Sequence, residues 1–532
     1  MDVAKHSGAR VAVPLVAAVA VVALLAGDRP WEPGPTEVIE GPYGRLLSES
    51  ADLGPAHADR IQVTASLHSS ERPVRLGQWA GAHGLVLRWR DGDTWAVLEG
   101  SPASMSEAFG VGVHDYRTPR GEVFYASPQQ PQIPAAAHTE VAGLGRILSY
   151  TPYTQGLPPT PPLDVPGGGL LPNQLLTAYN ATPVVRRGNT GKGQTVVVFS
   201  FDGFDQADMD SFSEWFKLPP FTPEVVGGMP AQRTGESTMD LQVIHAVAPD
   251  AKLVMVNARP TVETGGSLLK LAELMESVDR RFPGAVWSFS IGWGCDRLFT
   301  AADLAPVRSA LAAAHGNGTT AFDASGDLAG LECKGTHNWS DPPSPDDFGV
   351  DAVASLPEMT SVGGTTLSTD SAGAFLAEQG WYDVPLTQGS AGGASTLFPR
   401  PSWQAVGPSQ SHARRLVPDV SAVADPFTGV KFVFRQEVVV GGGTSQAAPI
   451  WAGLAAVINE VLEGGGVKPL GDLNPLLYRL AKGAAKPAFR DISLGGNAVT
   501  RPVSGYDMVT GLGSPNVENL VYDLLLYKTS VR

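Results

Sequence analysis

Gln194-Thr195-Val196-Val197-Val198-Phe199-Ser200-Phe201 is a largely apolar β run that closes on Asp202. Ala251 to Asn257, Val286 to Ile291 and Thr319 to Asp323 are runs of the same kind, with helical stretches between them. A strand buried on both faces reads as a continuous apolar run, whereas a half-exposed strand alternates. Buried runs alternating with helices predict an α/β protein with a parallel, doubly wound sheet. Val438-Val439-Val440 fits the same alternation. In such sheets functional groups gather at the C-terminal ends of the strands. Asp327, in Ala324-Ser325-Gly326-Asp327, and Ser445 both fall at such ends.

Ser445 lies in Gly441-Gly442-Gly443-Thr444-Ser445-Gln446-Ala447-Ala448-Pro449, which runs into the apolar stretch Ile450 to Leu454. The pattern reads strand, glycine turn, serine, helix. It places a hydroxyl and its own N–H at a helix N-terminus, where developing negative charge is favoured. A serine nucleophile that passes through an oxyanion needs such a place. An N-capping serine after a flexible turn gives the same pattern.

Working outward, the 532 residues exceed what one core supports, so two or three domains are expected. An apolar share of 43% with 17% charged residues is globular. The net charge of −15 and the lack of dense Lys/Arg runs argue against a nucleic-acid partner. Lys5 and Arg10 precede the apolar run Val11 to Gly27, which has the form of a secretory signal. Residues 1–27 are therefore a cleaved signal peptide or a retained membrane anchor, and in both cases the bulk of the chain is exported. Export permits a disulfide between the two cysteines, Cys295 and Cys333, although two free thiols remain an alternative.

Residues 28–60 are rich in Pro and Gly and are expected to be poorly ordered. A small α+β unit follows at 61–150. Its hairpin is Leu85 to Arg90 and Thr94 to Leu98 about the Asp91-Gly92 turn, and a helix opens at Ser101-Pro102. Residues 151–169 read as an exposed linker open to proteolysis, and 170–532 as the main domain.

A serine nucleophile needs a base, and none of the ten histidines stands in a convincing place. His315 ends an Ala-rich helix rather than opening one, and the others, His245 apart, fall in the leader, the N-terminal region or polar loops. Carboxylates are better placed. Gly235-Glu236-Ser237-Thr238-Met239-Asp240 opens a helix that ends near Pro249, with Glu236 and Asp240 at i and i+4, about 40° apart on one face. His245 lies on the far side of that helix. Two close carboxyls share a proton and raise one pKa, which suits a base working in acid. An acidic helix N-terminus stabilising the dipole is the plainer reading. Asp327 could be a turn former, or a buried protonated acid that donates to an oxyanion.

The order Gly-Glu-x-x-x-Asp, Ser-Gly-Asp, Gly-Gly-Thr-Ser-x-x-x-Pro resembles the sedolisins, the serine-carboxyl peptidases, and their kumamolisin-like branch in particular. The likeness extends over nearly everything after Leu171 and includes Ser361 to Thr366, Pro418-Asp419-Val420-Ser421 and Thr510 to Pro515. The resemblance implies a subtilisin-like catalytic domain preceded by a ferredoxin-like α+β prodomain at 61–150 that inhibits it. It implies Ser445 as nucleophile, Glu236 as its base, Asp240 as support for Glu236 and Asp327 as the oxyanion acid. Leu328 stands where the family usually has serine. It also implies one calcium ion held by Asp491, Ile492, Val503, Gly505 and Asp507, hard oxygen donors of the kind calcium prefers. Val503 stands where kumamolisin-like chains tend to have glycine, and two turn aspartates would read alike. The expected protein is a secreted, acid-active, monomeric endopeptidase made as a zymogen, acting on protein or peptide substrates. Tripeptidyl-peptidase action, a histidine-based subtilisin-like protease and a catalytically silent exported binding module are the alternatives. Trp293 lines the cleft by the same resemblance, or belongs to the core.

Overall fold

The computed structural model describes residues 37–152, 154–155, 168–263, 266–334, 343–383, 388–407 and 411–530. The leader at 1–27, most of the 151–169 segment and His337 lie outside the described residues. Among the described residues no helix is long and apolar enough to cross a membrane.

Val196, Val197, Val198 and Phe199 are fully buried, as a strand covered by helices on both faces must be. Their strand, Thr195–Ser200, lies inside an eight-stranded sheet. From one edge the order is Glu224–Val226, Lys252–Asn257, Thr195–Ser200, Val286–Phe289, Thr320–Ala324 and Thr360–Thr369, all parallel. The last of these is long enough to pair twice more, in parallel with Val420–Val423 and antiparallel with Phe375–Gly380. Two apolar clusters pack on the two faces, one led by Val196 and Val198, the other by Val197 and Phe199. The alternation of side chains across one strand thus divides the core.

One expected strand is misplaced by the sequence reading. Val438–Val440 belongs to a separate hairpin, Lys431–Phe434 with Glu437–Val440, and not to the parallel sheet. Arg435 and Gln436 both adopt positive φ, 52° and 62°, and form the two-residue turn that sends a chain straight back on itself. Glu437 and Val438 are exposed, so the apolar run reflects β-propensity and not burial.

The N-terminal unit has a four-stranded antiparallel sheet ordered Val86–Arg88, Trp95–Gly100, Ile61–Leu67, Val141–Leu144. With the helices Val74–Ala82 and Pro102–Phe109 this is the β-α-β-β-α-β arrangement of a ferredoxin-like unit. Ser101 caps the second helix by accepting from the Ser104 N–H. His114–Arg117 and Val123–Ala126 form a second sheet with Ala51–Pro55. The expected disorder over 28–60 is therefore corrected from residue 37 onward. Helix Pro42–Ser48 and strand Ala51–Pro55 form there because Tyr43 is fully buried, with its hydroxyl donating to the Ser127 carbonyl.

Charged contacts hold this unit on the sheet domain. Arg90 forks onto Glu276 at 2.8 and 2.6 Å. Arg45 donates to Asp347 and to the Cys333 carbonyl, both at 2.6 Å. Beyond this unit the backbone of Thr154–Gln155 pairs antiparallel with Ile291–Gly292, adding a strand to the sheet domain.

Candidate active site

The sequence-predicted carboxylates stand on the helix Glu236–Val247, every residue of which is buried. Its first N–H groups need acceptors, since no earlier turn supplies them. Asp202, at the end of strand Thr195–Ser200, meets that need from outside. Its carboxylate accepts from the N–H groups of Thr234, Gly235 and Glu236 at 2.9 to 3.1 Å. Ser237 adds a second tie, donating 2.7 Å to the Asp202 carbonyl. The helix bearing both carboxyls is thus pinned to the C-terminal edge of the sheet.

Ser445 is the second residue of the helix Thr444–Gly464, which packs against the carboxylate helix. Gly453 permits the close approach, because a Cβ there would sit 2.9 Å from the Val247 side chain. Glu236 is buried, and burial drives its pKa well above the usual carboxylate range. Asp240, Asp327 and Asp202 push in the same direction, while a hydrogen bond with Ser445 pulls it down. Asp240 is fully buried, with its pKa raised by desolvation, pulled back by the hydrogen bond with Ser290, and raised again by Asp202. Glu236 Oε1 and Asp240 Oδ2 are both buried without a hydrogen-bond partner. Two such carboxyls cannot both be charged cheaply, so the pair keeps one proton to a pH above the ordinary carboxyl range.

Asp327 follows strand Thr320–Ala324. Its Oδ1 accepts from the Thr444 N–H at 2.7 Å and the Thr444 hydroxyl at 2.8 Å. Thr444 Oγ1 in turn accepts from the Gly326 N–H at 3.1 Å. With Oδ1 occupied, Oδ2 is the oxygen left to carry a proton. Burial raises the Asp327 pKa and favours that neutral form. Gly443 is required here: its φ is +80°, and a Cβ would lie 2.7 Å from Asp327 Oδ2. Behind the loop, burial also raises the pKa values of Asp323, Glu332 and Asp351, the last to about 7.

The four residues Glu236, Asp240, Asp327 and Ser445 are thus brought together. No histidine among the described residues hydrogen-bonds to Ser445. His245 Nε2 donates to the Pro219 carbonyl on the far side of the helix, its ring stacks on Phe221, and burial lowers its pKa to about 4. His315 is held between the Thr319 and Glu358 carbonyls. Trp293, a candidate cleft residue, is fully buried against Phe201 and follows the core reading. Three functional positions escaped the sequence reading. Asp202 was visible only as the end of a strand, Thr444 only as a neighbour of Ser445, and Ser290 as one polar residue in the apolar run ending at Ile291. Ser290 Oγ lies 3.0 Å from both Asp240 Oδ1 and the Ser445 carbonyl oxygen.

Cys295 and Cys333 are joined in a disulfide. They and Asp296 are the cluster of metal-type side chains among the described residues, and the bond between the sulfurs takes both out of metal chemistry. Asp491 and Asp507 offer a different donor set. Asp491 accepts from the Ser504 hydroxyl and the Gly505 N–H at 2.9 and 3.0 Å. Asp507 accepts from the N–H groups of Val509 and Thr510 and from the Thr510 hydroxyl. Burial, with repulsion from Asp491 behind it, moves the Asp507 pKa up to about 6. Ile492 and Val503 have hydrocarbon side chains, so each can contribute only its carbonyl. The repulsion between the two carboxylates is what a hard divalent cation bound to both would relieve.

Over an alignment 582 positions long, gaps included, the chain is 29% identical to kumamolisin of Bacillus sp. (strain MN-32), covering 94% of this chain and 98% of that protein. It is 28% identical to human tripeptidyl-peptidase 1 over 435 residues, 75% of this chain and 73% of the relative. Among solved structures, Pseudomonas sedolisin, a serine-carboxyl proteinase complexed with two molecules of pseudo-iodotyrostatin, superposes with a TM-score of 0.56 at 25% identity. The match covers 69% of this chain and 99% of that one. No family model matches the chain.

Proposed function

We propose that the chain is a sedolisin-family serine-carboxyl peptidase, an exported, acid-active endopeptidase made as a zymogen, on its likeness to kumamolisin and to Pseudomonas sedolisin. The observation that carries this reading is the buried Glu236 and Asp240 pair beside Ser445, which no histidine among the described residues hydrogen-bonds. Glu236 takes the Ser445 hydroxyl proton as Oγ bonds to the carbon of a peptide carbonyl. The carbonyl oxygen becomes an oxyanion held by the Ser445 N–H and by the proton on Asp327. Collapse breaks the C–N bond and leaves an acyl-enzyme, with the proton on Glu236 passing to the leaving amine. Water then reverses the sequence and frees Ser445.

Two groups set the pH range. Glu236 must be charged, and sharing one proton with Asp240 makes that possible in acid. Asp327 must stay protonated, which its raised pKa allows in acid and forbids once pH passes that value. Activity of the full chain on a denatured protein should therefore peak at acid pH, since burial shifts these carboxyls upward, and fade toward neutrality. A rate rising toward neutral pH would indicate a histidine base and remove the proposal.

The zymogen reading is supported by the strand Thr154–Gln155 lying along Ile291–Gly292, between Ser290 and Trp293, where a substrate strand would compete for the same backbone groups. Export is supported by the basic-then-apolar sequence at residues 5–27. We place one calcium ion on the Asp491 and Asp507 carboxylates with the carbonyls of Ile492, Val503 and Gly505. Bound there, it would neutralise the repelling pair and stiffen the loop. Chelation should then lower the melting temperature by several degrees, about 2–4 °C per kcal/mol lost at this domain size, and calcium should restore it. An unchanged melting curve after chelation would remove the ion.

A further inference from the structure

Pro449 stands four residues after Ser445 inside the serine helix. In an α-helix the carbonyl of one residue accepts from the N–H four residues later. Proline has no N–H, so the Ser445 carbonyl lacks its helical donor. Ser290 comes within reach instead, 3.0 Å from that oxygen and 3.0 Å from Asp240 Oδ1, and is itself 2% exposed.

A serine hydroxyl has one proton to give. The Ser445 carbonyl can only accept. Both contacts are therefore hydrogen bonds only when Ser290 donates to Ser445 and accepts from Asp240, which requires a proton on Asp240 Oδ1. An ionised Asp240 would capture the Ser290 proton and strip the buried carbonyl of its side-chain donor.

We propose that Ser290 is a positioning residue that settles the single proton of the carboxyl pair on Asp240, through the carbonyl that Pro449 leaves without a helical donor. Glu236 then faces the Ser445 hydroxyl as the anion. The inference rests on the reading of Glu236 as the base. The charged groups acting on the pair are carboxyls: Asp202 ahead of the helix and Asp327 across the cleft. On the elements packed against the helix, Asp208 accepts from the Arg435 and Gln436 backbone, Lys252 pairs with Glu224, Glu460 binds the Thr190 and Gly191 backbone, and Lys431 is partly exposed.

The test is kcat/KM against pH for the full chain after acid treatment. Pro449→Ala favours the helix and returns an N–H to the Ser445 carbonyl. Ser290 is then free to donate to Asp240, and the shared proton moves to Glu236. Activity at the wild-type optimum should fall at least about tenfold, the scale of one charge-assisted hydrogen bond. Adding Ser290→Ala to Pro449→Ala should restore most of it, since Asp240 then has no donor and takes the proton back. Ser290→Thr, which keeps the hydroxyl, should retain the wild-type profile. An equal loss in the single and double variants would overturn the inference, because it describes a displaced helix and no proton. So would full activity in Pro449→Ala. Wild-type protein without acid activity would instead remove the reading on which the inference rests.

Discussion

Ser445→Ala is expected to give a folded chain that neither digests protein in acid nor releases its N-terminal unit. Ser445 makes no contact that the fold depends on through its side chain alone. Its backbone is secured by the serine helix and by Ser290, and alanine suits a helix better than serine. In the proposed mechanism its hydroxyl oxygen forms the acyl bond. Removing the nucleophile of a serine peptidase costs about 10⁴-fold to 10⁶-fold in kcat. N-terminal sequencing of wild type and variant shifted from neutral to acid pH reads processing and catalysis together. Undiminished processing by the variant would remove Ser445 from the chemistry.

Asp327 carries the second large effect. Its carboxyl does two things that different substitutions separate. Oδ1 holds the Thr444 N–H and hydroxyl, and so shapes the turn before Ser445. Oδ2, when protonated, is the donor to the oxyanion in the proposed mechanism. Asp327→Ala loses both, and kcat should fall about 10²-fold to 10³-fold, as for loss of an oxyanion donor elsewhere. Asp327→Asn keeps an acceptor for Thr444 and a donor that does not titrate. It should retain more activity than alanine, and its alkaline limb should move to higher pH. The sign follows from the chemistry: the aspartic acid donates only below its raised pKa, whereas the amide donates at every pH. An alanine variant as active as wild type would take Asp327 out of the oxyanion site.

How far the site was legible varied with how local each signal was. Glu236 and Asp240 could be paired because helical spacing alone puts them on one face, and His245 could be set aside for the same reason. The turn before Ser445 was legible from its glycines. Asp202 was not, because its role is to cap a helix that begins more than thirty residues later, and nothing in its own neighbourhood says so. Ser290 was illegible for the same reason, since its two partners come from two other elements. Val438 to Val440 shows the opposite failure. A local pattern was read as a buried parallel strand, but the Arg435-Gln436 turn had already returned the chain into a hairpin.

By itself the sequence determined the parallel α/β layout, the helical pairing of Glu236 with Asp240, and the candidacy of Asp327 and Ser445 at the ends of strands. Periodicity and short spacings encode these, and both survive in one dimension. The tertiary structure alone decided which carboxyl oxygens are bare, that Asp327 is held by Thr444, that the cysteines are bridged, and that Ser290 joins Asp240 to the serine. These depend on residues brought together from distant elements and on how completely water is excluded around them. Burial sets proton positions, and burial is a property of the packed chain.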